Sequence, residues 1–370
     1  MNYTKHISIL KQQHIHDQSI QFKQRVDKSP ILQHIFSQIQ NIKMDVLKFI
    51  QIEFNKMPYI SIQTLIDEHL ASLFISPKIK QNIINKINHA HQYTFTYKSN
   101  TLVFNNFLFK QSKHNITYKQ IVIMALYGHI IMEIYNKQNV DINTYLFPST
   151  YKKTLPKKSP IQRHNINTGY TTRNHDHNDN YIVLFRKEDV ENVFVHECIH
   201  YLKIDHLLFP SYAHTHSNTL QDFFKFSHSI FLQEGYTEIL TILYVSLCNA
   251  AFLGVDFKNI LYNEFLYSLF QCNKILQLYS ISNHSEFYKW SDDHTNSFAY
   301  VFIKTICLEN LHSFLTIFFD HTSITPQLFV EYIKDSYVHI KPYLFIDHDV
   351  QSQSKILQQT LKKSIYDIQW

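Results

Sequence analysis

Two histidines four residues apart, His196 and His200, enclose a glutamate, Glu197, in the segment Val193-Phe-Val-His-Glu-Cys-Ile-His-Tyr-Leu202. On a helix the two imidazoles project from one face, one turn apart, and can offer nitrogens to neighbouring positions of a tetrahedral Zn²⁺. Glu197 lies about 100° further round the helix, beside such an ion and not under it. From there its carboxylate can take a proton from a metal-held water. In a chain holding 24 His, chance supplies an HExxH with a probability of about 0.05. This one stands apart by its setting: its neighbours from Val193 to Leu202 are uncharged, no proline interrupts them, and a strand-like run precedes them.

A catalytic zinc takes a third protein ligand and keeps one position for water. His206 stands where the metzincin pattern HExxHxxGxxH places its last His. That pattern asks for Gly at the position of Lys203, where the helix must stop in a positive-φ turn. It also goes with a methionine turn downstream, whereas Met1, Met44, Met57, Met124 and Met132 all lie upstream. The metzincin reading fails on both counts. Asp205, just past the motif, is a further carboxylate candidate.

The segment Leu232-Gln-Glu-Gly-Tyr-Thr-Glu238 completes a different pattern. With it the chain resembles the gluzincins, zinc peptidases in which a Glu on a later helix joins HExxH. In thermolysin-like members an acid four residues beyond that Glu hydrogen-bonds a zinc-binding His, and Glu234 and Glu238 match this spacing. The resemblance implies Zn²⁺ as cofactor, His196, His200 and Glu234 as ligands, Glu238 as the acid that orients a ligand histidine, and Glu197 as general base. It implies hydrolysis of a peptide or protein substrate. It covers residues 181–245, and the 33 residues between His200 and Glu234 exceed the spacing in thermolysin-like members. Gluzincins draw an oxyanion donor from the helical lobe, for which Tyr300 and His294 are the candidates by position. Gly235 costs a helix about 1 kcal/mol against Ala; a close approach by the HExxH helix would explain it. The alternative function is an inactive zincin fold that binds a partner.

The elements that must position these residues can be read from periodicity. Residues 1–90 carry apolar positions every three or four residues (Ile31, Ile35, Ile39 and Ile42, continued by Leu47, Ile50, Ile52 and Phe54) and are expected as an N-terminal helical region. Residues 91–370 are expected as the zincin-like domain, sheet and motif helix to about 205 and a helical lobe after. Tyr93–Tyr97 alternates and is followed across Lys98-Ser-Asn by Thr101–Phe104, a hairpin pattern. Residues 118–136 form an apolar helix, and 148–180, rich in Pro, Lys, Asn and His, read as a long surface loop. Tyr181–Lys187 reads as a strand, either an edge able to pair with an extended substrate or an interior strand of the sheet. Helices follow at about 188–204 and 218–248, with later breaks near Asn283 and Pro326. The class is α+β, mainly α: a small sheet within a helical protein.

The rest of the sequence bounds the answer. Hydrophobic content of 45% against 18% charged residues is that of a folded chain, not a disordered one. The net charge of +5 and the cluster Lys152, Lys153, Lys157, Lys158 bring no nucleic-acid signature with them; the cluster reads as a solvated loop. Cys198, Cys248, Cys272 and Cys307 are too dispersed for a disulfide framework or a cysteine zinc site. The first residues lack the apolar core of a signal peptide. The uncharged run Ile239–Val255 is shorter than the roughly 20 residues that span a bilayer, so a buried helix in an intracellular, membrane-free protein is expected. His175/His177 and His214/His216 resemble metal pairs but fall in polar, loop-like sequence.

Overall fold

The structure, a computed structural model, describes residues 16–110, 112–156, 160–172, 180–210, 218–226, 230–290, 295–319 and 324–344. The His175/His177 and His214/His216 pairs, His294, Lys157, Lys158 and the Gln/Lys-rich tail lie outside these residues. The fold is the mainly helical α+β arrangement expected, and it divides into two units. One comprises the chain up to Ser37, Thr154–Asn165 and Asp205 onward; the other comprises Gln38–Lys153 and Ile166–Ile204.

The second unit holds a six-stranded sheet, β1 (Gln51–Lys56), β2 (Ile87–Tyr97), β3 (Asn100–Phe109), β4 (Asp141–Leu146), β5 (Gly169–Thr171) and β6 (Tyr181–Leu184), in the order β1-β2-β3-β4-β6-β5. The hairpin stands where alternation placed it, pairing Tyr97 with Asn100 across Lys98, which takes φ +53. β3, β4 and β6 run parallel, and β5 closes the order antiparallel to β6. The crossover from β3 to β4 is α5 (Tyr118–Ile134), started by a reciprocal Thr117/Gln120 capping box. Strand alternation sorts the side chains. Val183 and Phe185 join Phe107, Phe147 and Tyr170 against α3 (Tyr59–His69) and α4 (Pro77–Ile84). Leu102 and Phe104 face α5 and α7 (Val190–Tyr201), the helix of the HExxH motif, with the Phe104 and Phe194 rings 5.2 Å apart.

Two local expectations change, and one alternative is decided. Gln51–Lys56 follows α2 (Pro30–Phe49) as a strand with every residue exposed, so its apolar residues continue a strand and not a helical stripe. Of the two places open to the strand at Tyr181, the interior one is taken: Tyr181–Leu184 pairs with β4 and β5, and β5 and β1 are the two edges of the sheet. And the described residues of 148–180 are not simply surface loop. They carry α6 (Arg163–Ile166) and β5, and Ile161, Asn165, Ile166, Thr168 and Tyr170 are buried.

The first unit is helical: α1 (His16–Asp27), α8 (Asn218–Phe224), α9 (Leu232–Leu253), α10 (Phe257–Leu278), a π-helical segment Phe298–Ile303, α11 (Lys304–Glu309), α12 (Leu311–Phe319) and α13 (Pro326–Ile340). The helix expected over 218–248 is two, interrupted after Phe224 where Lys225 takes φ +56. α9 is long and apolar enough to cross a membrane, yet 89% of its most apolar window is buried inside the protein. An aromatic cluster of Phe224, Phe287, Trp290, Phe298, Phe302 and Tyr337 fills the interior, with Trp290 donating to Ser297 Oγ at 3.1 Å.

Candidate metal centre

α7 begins under unusual constraint. Its N-cap residue, Asp189, adopts φ +59 and makes no side-chain cap. Its buried carboxylate instead meets the buried Lys153 ammonium at 3.0 Å. The Lys153 backbone N–H donates to Glu188 at 2.6 Å, and buried Arg186 donates to the carbonyls of Asn167 and Tyr151. Burial lowers the Arg186 pKa to about 10, against the opposing pull of Glu188 and Asp189. Lys153 is thus a core cation and not part of a solvated loop. All residues of α7 from Val190 to His200 are buried. Burial pushes the Cys198 thiol well up, and all four cysteines are free and buried, as their spacing suggests.

The helix stops through a pair of bonds: Ile204 N–H donates to Ile199 O, and Lys203 N–H to His200 O, with Lys203 at φ +55. A non-glycine residue therefore makes the left-handed turn for which the metzincin pattern asks for Gly. The turn alone does not exclude that pattern; the ligand grouping decides. Ligand atoms of His196, His200 and Glu234 all lie within 4.8 Å of one another, a group that could hold a metal ion and that includes neither His206 nor Asp205. Asp205 accepts instead from the Gln233 side-chain amide.

The donor set fits zinc. His196 and His200 present their Nε2 atoms 3.1 Å apart, with rings nearly perpendicular at 79°. Two nitrogens about 2.0–2.1 Å from a tetrahedral ion would stand about 3.3 Å apart, so α7 already sets the separation a shared cation needs. Glu234, half-buried, occupies the first turn of α9, where the helix dipole favours an anion.

Glu197, between the two histidines and buried, has a partner that sequence reasoning missed. Thr171 Oγ donates to Glu197 Oε2 at 2.7 Å and lies 3.2 Å from the Glu197 carbonyl oxygen. Nothing in the spacing of Gly169-Tyr-Thr-Thr172 announces this, because the contact depends on β5 being an edge strand beside α7. Glu238 is fully buried one turn beyond Glu234, and its Oε1 stands 3.8 Å from the buried Lys304 ammonium. Tyr300 lies half-exposed in the π-helical segment. Gly235 is explained by a different neighbour from the one expected: a Cβ there would lie 2.7 Å from Ile303 Cγ2, so the close approach comes from the end of the π-helical segment, not from α7.

No protein-family model matches the chain, and no solved structure matches it. The chain is similar to uncharacterized protein R210 of Acanthamoeba polyphaga mimivirus, 26% identical over 197 residues, 48% of this chain and 47% of the relative. The chain spans about half the length of that relative, whose name states no activity.

Proposed function

We propose that the chain is a zinc-dependent peptidase of the gluzincin type, with His196, His200 and Glu234 holding the ion and Glu197 acting as general base. The observation that carries this reading is the convergence of the three ligand atoms within 4.8 Å, with a further buried carboxylate adjacent in sequence. A purely structural zinc site closes all four positions with ligands and has no use for Glu197.

Held by these side chains, zinc would supply a Lewis acid and would lower the pKa of a bound water toward neutrality. Glu197 takes the proton of that water on the oxygen that Thr171 leaves unengaged and passes it to the departing amine. Glu238 orients a ligand histidine from the second turn of α9, and Tyr300 is the proposed donor to the developing oxyanion. β5 offers an edge to an extended peptide: among the described residues it pairs only with β6, and an added strand would lie beside the segment that holds Glu197. This is the role first assigned to Tyr181–Lys187, moved one strand outward.

The test is metal analysis of the purified chain together with cleavage of a broad fluorogenic peptide library by wild type and Glu197→Gln. Zinc retained in both, with hydrolysis reduced about a hundredfold or more in the variant, is the expected result. A chain that takes up no zinc, or a zinc-loaded wild type that cleaves nothing, defeats the reading. The second outcome favours a binding protein on a zincin-like frame.

A further inference from the structure

The geometry points to Thr171 as the positioning residue for Glu197, so that edge strand β5 sets the orientation of the general base. This inference rests on the peptidase reading for its consequence but not for its geometry. β5 presents alternate residues to α7. Gly169 comes so close that a Cβ there would lie 2.9 Å from Val193 Cγ1 and 2.6 Å from Leu184 Cδ2. Thr171, two residues on, reaches Glu197, one helical turn beyond Val193. The strand and the helix are thus in register over two successive contacts, the first steric and the second a hydrogen bond. Tyr170, pointing the other way, donates to the His69 carbonyl at 2.6 Å and ties β5 to the end of α3. Thr171 itself pairs with Ile182 of β6. Its hydroxyl is therefore carried by backbone fixed on two sides.

A hydroxyl has one proton to give. At 2.7 Å from Oε2, against 3.2 Å from the carbonyl, it goes to the carboxylate, where a charge-assisted bond is the stronger. That bond stops rotation of the carboxylate and leaves its second oxygen in one place. A substrate strand added to β5 would stiffen the segment that carries Thr171. Binding and base alignment would then be coupled through one side chain.

The test compares Thr171→Val, which keeps shape and β-branching but loses the donor, with Thr171→Ser, which keeps the donor. On the best-cleaved member of the peptide library, the zinc-loaded Val variant should lose about tenfold to a hundredfold in kcat, with KM within about threefold of wild type and zinc content equal. The Ser variant should recover most of the loss. Crystal structures of the metal-free proteins give a second readout independent of turnover: one Glu197 conformer bonded to residue 171 in wild type and Ser, and a rotated or multiple carboxylate in Val. Unchanged kcat with Glu197 in its wild-type conformer overturns the inference, as does a loss of activity that Ser fails to restore. If wild type neither holds zinc nor cleaves peptides, the peptidase reading fails, and the crystallographic comparison alone decides whether Thr171 holds Glu197.

Discussion

Gly235→Ala tests how tightly the ligand helix is seated. An added methyl would stand 2.7 Å from Ile303 Cγ2 and 3.1 Å from Ile303 Cβ, where apolar carbons rest at about 3.5–4.0 Å. Cγ2 cannot swing away alone, because Cβ is also too close and a β-branched side chain has little χ1 freedom in a helix. Relief therefore requires α9 and the π-helical segment to separate by roughly 1 Å, the shortfall between these two spacings. Two terms oppose each other: alanine gains about 1 kcal/mol in helix propensity, and overpacking costs about 1–3 kcal/mol. The balance is a destabilisation of up to about 2 kcal/mol, read as a lower urea midpoint at unchanged m. If Glu234 holds a metal ion as proposed, occupancy should fall as well, since Glu234 is the adjacent residue and ligand distances tolerate only about 0.2 Å. The double-mutant cycle with Ile303→Ala isolates the clash. Ile303→Ala alone should cost about 2–5 kcal/mol by leaving a cavity at a buried site. In that background Gly235→Ala should cost less than in wild type, because Cγ2 is gone and only the 3.1 Å contact with the retained Cβ is left to relieve. A single Gly235→Ala variant as stable as wild type, with full zinc occupancy, would refute the reasoning.

Two further predictions concern buried charge. Lys153→Met leaves the buried Asp189 carboxylate without its ammonium partner and should cost about 3–5 kcal/mol by denaturant titration, with partial recovery in Lys153→Met/Asp189→Asn; a change under about 1 kcal/mol would show the pair to be incidental. Burial lowers the pKa of His69 and His129 to about 4 from the ordinary 6.5. Both are therefore neutral in the folded protein while the unfolded chain takes up protons below pH 6.5. Their contribution is complete above pH 6.5 and is lost as pH falls toward 4, at most about 3 kcal/mol each. Urea midpoints at pH 7.5, 6 and 5 for wild type and His69→Phe/His129→Phe should diverge, with the variant less acid-sensitive; parallel slopes would show that the two imidazoles do not drive the acid transition.

The HExxH helix and the grouping of its histidines with Glu234 were legible because they depend on helical spacing. His196 and His200 need only one turn of helix to face one point, and Glu234 joins them from another helix. Long apolar elements such as α5 and α9 also announced themselves, since nothing but burial explains such runs. The polar segment 148–180 did not. Its lysines and asparagines read as solvent-facing, yet Lys153 is a fully buried counter-ion and Asn165 donates to the Thr154 carbonyl. Burial of a polar side chain depends on partners distant in sequence, Asp189 for Lys153 and Glu197 for Thr171, and composition cannot name them. β1 was hidden for a related reason. Its Ile52 and Phe54 are exposed, so no alternation between a dry and a wet face marks it as a strand. Lys203 shows the opposite failure, a rule applied too firmly: a lysine makes the left-handed turn that a motif reserves for glycine.

The three misread features have one consequence in common, because each fixes α7 without help from an ion. Lys153 holds its first residue through Asp189, β5 holds its middle through Val193 and Glu197, and the left-handed Lys203 ends it one turn past His200. Held in this way, the two Nε2 atoms stand 3.1 Å apart, a separation at which two lone pairs repel unless a proton or a cation lies between them. A proton shared by two imidazoles satisfies that need only partly. A divalent ion satisfies all three groups together. The helix therefore sets the nitrogens at a spacing that a metal ion would relieve, and the support for the proposed site lies in this prior rigidity as much as in the types of the three side chains.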